Sequence, residues 1–296
     1  MTTSADRSSN HYSRGVRKVL IITLLLNLTV VAIKLVIGIL AQSLSIISDA
    51  LHSSADSFNN VVALFVIRIA SAAPDEEHHF GHHKFETLGA FVIAGFLAVT
   101  AFEVASSAVK RILGWESSRV EVTAVTIGAM VLTIGVNILV WLYESRRARE
   151  LGSSILLADS KHTLSDIFVS LSILVGLLML WFRIANLDAV LALLVSCVIA
   201  YAAYQIFSAT APVLVDRSPF PRDYIAEVVR ATPGVKSVHD IMSLGVPGNA
   251  FITMHLAVAP VITSDAHAVT EEVERRLEKT LGPCHVTIHI EPEDQS

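Results

Sequence analysis

Charge is scarce in this chain. Only 17% of its residues are charged against 53% that are hydrophobic, so most of its length cannot be solvated surface. Positive charge is not in excess either. A net charge of −5 leaves no basic face for a phosphate backbone and excludes a nucleic-acid binder. The two cysteines, Cys197 and Cys284, form no CxxC pair and no disulfide framework. No HExxH occurs, which removes the usual signature of a zinc hydrolase.

What is present is a series of long apolar runs. They cover about 19–40, 44–70, 87–113, 122–143, 155–181 and 187–207, each close to the roughly 20 residues that one crossing needs. We read six transmembrane helices in an integral inner or cell-membrane protein. Arg14, Arg17 and Lys18 precede the first run, and Arg146, Arg147 and Arg149 lie between the fourth and fifth. The positive-inside rule then places both termini in the cytoplasm. Residues 1–14 are polar and without period, and read as a disordered tail. The transport-type domain is expected over 15–209. From about 210 to 296 shorter elements follow in the order αββαβ, as in a soluble cytoplasmic α+β domain of ferredoxin-like plan. There, Ser264 reads as the N-cap of the second helix and Pro247-Gly248-Asn249 as the turn between the first two strands.

The stretch 48–56 puts two acids and a histidine inside the second run. At 100° per residue Asp49, His52, Ser53, Asp56 and Asn60 share one helical face. Ionisable side chains inside a membrane are costly unless they meet a cavity, a partner or an ion. The spacing Asp-x-x-His-x-x-x-Asp-x-Phe recurs from Asp159 to Phe168 in the fifth run, with Asp159, His162, Thr163, Asp166 and Ser170 on one face. An offset of three helices reverses direction, as in inverted three-helix repeats around a midplane site. His52, Asp56, His162 and Asp166 make a set of two imidazoles and two carboxylates that suits tetrahedral Zn²⁺. Two aspartates balance the charge of the ion, and an empty ionised site would cost several kcal/mol per charge. Protons are the natural replacement. A hydrogen-bonded polar seam explains one such copy; two matched copies favour a metal.

Two further clusters hold candidate ligands. Asp75, His78 and His82 lie in a histidine-rich segment between the second and third runs, either a solvated loop or a metal site at the membrane edge. In the soluble domain, strand alternation puts His255, His289 and Glu291 on the sheet face away from the helices, joined by His239 and His267. Exposed histidines on a sheet are ordinary, and a metal site is the alternative.

These residues resemble the cation diffusion facilitator family, and within it the bacterial zinc/iron–proton antiporters. The likeness runs from about Arg14 to Pro292. It rests on Ser48-Asp49-Ala50-Leu51-His52-Ser53-Ser54-Ala55-Asp56, Phe80-Gly81-His82-His83-Lys84-Phe85-Glu86, Ala158-Asp159-Ser160-Lys161-His162-Thr163-Leu164-Ser165-Asp166 and Leu214-Val215-Asp216-Arg217. The resemblance implies a homodimer in the lipid bilayer that exports divalent metal from the cytoplasm against protons by alternating access. It matches His52, Asp56, His162 and Asp166 to the transport site, and Asp75, His78 and His82 to a loop site. It matches His239, His255, His267, His289 and Glu291 to a cytoplasmic site, and Lys84 with Asp216 to a charge interlock. His at position 52 points to the zinc-selective branch, since some relatives carry Asp there. Two nitrogens and two oxygens also suit Fe²⁺, Co²⁺, Ni²⁺ and Cd²⁺. Asp49 and Asp159, one turn beyond the ligands, are expected to orient them or to relay protons. A metal-sensing membrane scaffold without transport, and an intramembrane zinc hydrolase, are the competing readings.

Overall fold

A computed structural model describes residues 4–40, 44–115, 124–181, 187–246, 248–259 and 262–292. Within these, the side chains of residues 4–11, 38, 44–46, 48–49, 51–52, 55–56, 125–126, 173, 176–181, 187–189 and 292 are outside the description. Pro247, which opens the expected strand turn, also lies outside the described residues. The chain divides into two compact units, Met1–Ala211 and Pro212–Ser296.

The first unit is built from α1 (Ser4–Leu40), α2 (Leu44–Ala70), α3 (Lys84–Ile112), α4 (Ala124–Leu151), α5 (Ser154–Trp181) and α6 (Leu187–Leu214). Several helices extend beyond their apolar runs. The stretch expected as a disordered tail is helical from Ser4, and Tyr12 docks it by donating its hydroxyl to Glu86 at 2.8 Å. Helix α4 continues through the basic cluster to Leu151, where Glu150 accepts from Arg146 Nε at 2.9 Å and Arg147 Nη1 at 2.7 Å. Charge pairs three and four residues apart support a helix after its apolar face has ended. In α3, Glu86 in the first turn and Lys110 and Arg111 in the last complement the helix dipole.

The first unit buries an apolar core, and its outer surface is apolar as well. Phe102 is 75% exposed and Leu139 67%, while Lys34, Asn60, Glu144, Asp159 and His162 are all buried. An apolar exterior around buried polar side chains is stable only where the outer solvent is hydrocarbon. Among the described residues, four helical segments are long and apolar enough to cross a membrane: Tyr12–Ile37, Lys84–Ile112, Ile127–Leu151 and Val190–Leu214. Helices α2, α3 and α5 approach closely at Gly89, where an added Cβ would lie 2.6 Å from Val66 Cγ1 and 3.1 Å from Ile155 Cδ1. Nearby, Glu86 also accepts from Ser153 Oγ at 2.6 Å, so one buried carboxyl ties the starts of α1, α3 and α5 together.

The second unit runs α7 (Arg222–Arg230), β1 (Val235–Val246), β2 (Asn249–Val258), α8 (Thr263–Leu281) and β3 (Cys284–Pro292). The sheet order is β1-β2-β3, with β1 antiparallel and β3 parallel to β2. Ile225 and Val229 of α7 and Val273 and Leu277 of α8 pack on Ile252, Met254 and Leu256 of β2. Both helices therefore cover one face, and the alternate residues Thr253 and His255 point to the other. Ser264 does not cap α8; Ile262 holds that position, and the Ser264 hydroxyl turns instead to the Asp265 carboxylate at 3.3 Å.

Candidate metal centres

Polar side chains of α1, α2, α4 and α5 meet inside the first unit. Asn59 Nδ2 lies 3.0 Å from His162 Nε2, and Asn60 Nδ2 donates to Asp159 Oδ2 at 2.7 Å. Asn27 Nδ2 donates in turn to Asn60 Oδ1 at 2.9 Å. One step forward along α2 thus meets a step back along α5, so the two polar faces run antiparallel. Between them a cavity of about 20 Å³ is lined by Asn27, Ser53, Asn60, Asp159, His162 and Asp166, among others. That volume holds about one water molecule or one desolvated ion. His162 Nε2 and Asp166 Oδ2, one helical turn apart, are separated by 3.8 Å. The expected ligands His52 and Asp56, and the outer acid Asp49, have side chains outside the description; their backbones lie on α2.

Sequence reasoning did not single out Glu144, which is fully buried on α4. Its Oε2 accepts from Thr163 Oγ1 at 3.0 Å, and its carboxyl is within hydrogen-bond reach of Asp159 and Thr23. The signal for Glu144 was a lone acid at the end of an apolar run. With no repeat partner it resembled the polar helix end beside it.

The loop after α2 gathers Asp75, His78 and His82. Asp75 Oδ1 is 3.3 Å from His78 Nδ1, and Asp75 Oδ2 is 3.2 Å from His82 Nε2. Ligands on a tetrahedral zinc with bonds of 2.0–2.1 Å sit about 3.4 Å apart, so these donors already stand at metal-ligand spacing. The His78 and His82 rings lie 4.5 Å apart, with Phe85 stacked on His82 at 5.6 Å. Gly81, at φ +81°, makes the turn that returns His82 toward Asp75, and its N–H donates to the His78 carbonyl at 2.9 Å. The backbone N–H of His78, donating at 2.6 Å, holds the Asp75 carboxyl below the usual carboxylate range. Burial lowers the neighbouring His83.

On the open face of the sheet, register places His239 opposite His255 and His255 opposite His289. The ring centroids are 5.2 and 4.8 Å apart. Glu291 Oε1 is 2.8 Å from His255 Nδ1 and Oε2 is 3.4 Å from His239 Nε2. The hydrogen bond from His255 holds the Glu291 carboxyl below its usual range. A bulge between His239 and Met242, with Asp240 at φ +50°, breaks the ladder just beyond His239. His267 is not in this group. It projects from α8 and pairs with Glu271 at 3.5 Å, as residues four apart on an exposed helix do.

Lys84 opens α3 in the first unit, and Asp216, at φ +58°, follows α6 in the second. The two belong to separately described units.

Comparison with known proteins matches the cation efflux transmembrane domain over residues 20–215 and the cation efflux protein cytoplasmic domain over residues 219–293. An uncharacterized transporter of Methanocaldococcus jannaschii is 33% identical over 282 residues, covering 94% of this chain and 99% of its own. The manganese efflux system protein MneS of Bacillus subtilis is 28% identical, covering 89% and 91%. The cation-efflux pump FieF of Shewanella oneidensis is 26% identical, covering 90% and 90%.

Proposed function

Because the chain belongs to the cation diffusion facilitator family of cation efflux transporters, we propose that it exports a divalent metal, Zn²⁺ foremost, in exchange for protons. The observation that carries this reading is the antiparallel meeting of α2 and α5 around a cavity of single-ion size. Continuing that register along the two helices carries the motif of α2 past the motif of α5, and we read His52 and Asp56 as facing His162 and Asp166. Each motif copy then supplies one imidazole and one carboxylate to a four-coordinate site. Asp49 and Asp159 stand one turn out, where they would orient the ligands or relay protons, with Glu144 beside Asp159.

The metal choice follows from the donors. Imidazole with carboxylate suits Zn²⁺ and also Fe²⁺, Co²⁺, Ni²⁺ and Cd²⁺. Replacing His52 by Asp would harden the site toward oxygen-preferring ions, as expected for a manganese carrier. We read all six long helices as spans, with residues 15–209 as the transport domain and both termini cytoplasmic. Residues 210–296 form the cytoplasmic, dimerising domain. Its αββαβ order is the ferredoxin-like plan without its first strand, which brings two parallel strands, β2 and β3, side by side.

The loop and cytoplasmic clusters fit resident metal. Their donor sets mix imidazole with carboxylate, and their donor separations match zinc geometry. Asp75, His78 and His82 would hold one ion, and His239, His255 and Glu291, with His289 beside them, another. Lys84 and Asp216 are proposed as the charge interlock that the resemblance to the family implies. Zinc uptake into inside-out vesicles with an imposed pH gradient tests the transport site. Asp56→Ala and Asp166→Ala should each abolish zinc-driven proton flux, and flux at the wild-type level would sink the assignment.

A further inference from the structure

The interior of the first unit holds a lysine for which metal coordination has no use. Lys34 of α1 is 3% exposed, and its Nζ donates to Ser53 Oγ at 2.7 Å. Ser53 lines the same cavity as Asp159, His162 and Asp166. Val30 and Asn27, one and two turns before Lys34 on α1, line it too. The lysine also borders a second, apolar cavity of about 40 Å³ with Ile33, Ile37, Leu132 and Val136. Its stem therefore runs through an apolar gap between α1 and α4 while its ammonium is tied to the polar side, the usual posture of an amphipathic chain.

An ammonium buried at this depth is strongly unfavourable unless anions oppose it, and the cavity walls carry the carboxyl groups of Asp159 and Asp166. We propose that Lys34 is a tethered cation for the transport site, supplying part of the positive charge that the carboxylates need when no metal is bound. This rests on the reading of the α2–α5 cavity as that site. A divalent ion arriving in the cavity meets the like charge of the ammonium and must push it aside. The lysine thereby weakens metal binding and speeds release, which an exporter requires at the far face. Ser53 is the parking position, and the flexible stem permits the swing. Lys34 acts through the field in the cavity and is a positioning residue, not a ligand.

The test is zinc flux by the full chain in proteoliposomes, read as half-saturating zinc and maximal rate. Lys34→Gln can keep the bond to Ser53 and removes only the charge. Half-saturating zinc should fall about tenfold or more while the maximal rate also falls, because a unit charge near a divalent ion is worth at least that factor. Lys34→Arg should keep both values within about threefold of wild type. Lys34→Met, which fills the same stem path, repeats the test if the glutamine variant does not survive reconstitution. Half-saturation that is unchanged or raised in the neutral variants, or an arginine variant that behaves like them, overturns the proposal. Asp166→Ala separates the two ideas: full flux there removes the transport-site reading, whereas lost flux with an unresponsive Lys34→Gln removes only the tethered cation.

Discussion

Replacing Asn60 by leucine tests the contact that sets α2 against α5. The Asn60 amide donates to Asp159 Oδ2 at 2.7 Å and accepts from Asn27 at 2.9 Å, and Asn60 and Asp159 are each 2% exposed. Leucine keeps the branched outline of asparagine at a larger volume, and two buried polar groups lose their partners. Each orphan costs about 1–3 kcal/mol. The adjacent cavity of about 20 Å³ admits one water, which can rescue one of the two. The net loss should be about 2–4 kcal/mol, or a fall of roughly 5–12 °C in the thermal midpoint of a unit this size. The assay is thermal unfolding of the full chain in detergent, with zinc flux in proteoliposomes alongside. Leucine at both Asn60 and Asp159 removes donor and acceptor together and should recover part of the stability, though not the flux. Typical neutral hydrogen bonds between membrane helices contribute only about 0.6 kcal/mol. A midpoint within about 2 °C of wild type would therefore place this contact among the weak ones and refute the argument that it sets the helix register.

Two other outcomes follow from hydrogen bonds at the unit ends. Glu86→Ala removes the carboxyl that accepts from Tyr12 at 2.8 Å and Ser153 at 2.6 Å; it should cost about 3–5 kcal/mol, and Glu86→Gln clearly less, measured by denaturation in detergent. Equal losses in the two variants would mean that packing, not the clasp, is being measured. In α8, hydrogen bonds from Arg276 and then Arg275 hold Glu272 below the ordinary carboxylate range. A depressed carboxyl stabilises the fold above its unfolded value of about 4.3 and loses that contribution as pH falls through the folded value. The stability difference between wild type and Glu272→Gln should thus be present at neutral pH and vanish in acid. A difference that persists in acid would show that the charge is not its source.

Legibility varied from element to element. Strand β2 was readable from alternation over most of its length, because a half-buried strand writes its burial with period two. His255, His289 and Glu291 could be placed on one face by the same parity, and the structure brings His255 and Glu291 together with His239. His267 could not be excluded that way, since it sits on a helix whose exposed face admits any polar residue. The helical tail before Arg14 was missed because its order depends on Tyr12 meeting Glu86, 74 residues away.

The amino-acid order by itself determined the family, the repeated Asp-x-x-His-x-x-x-Asp motif and the loop cluster Asp75, His78 and His82. All of these are local, expressed in spacing along one helix or one turn. Only the tertiary structure decided which side chains from other helices complete the cavity: Asn27 from α1 and Asn137 from α4 line it, while Lys34 and Glu144 stand behind Ser53 and Thr163. In an apolar run a single polar residue has no period to reveal its direction. Its role is set by the helix it meets, and in hydrocarbon that meeting is compelled by the cost of leaving a polar group without a partner.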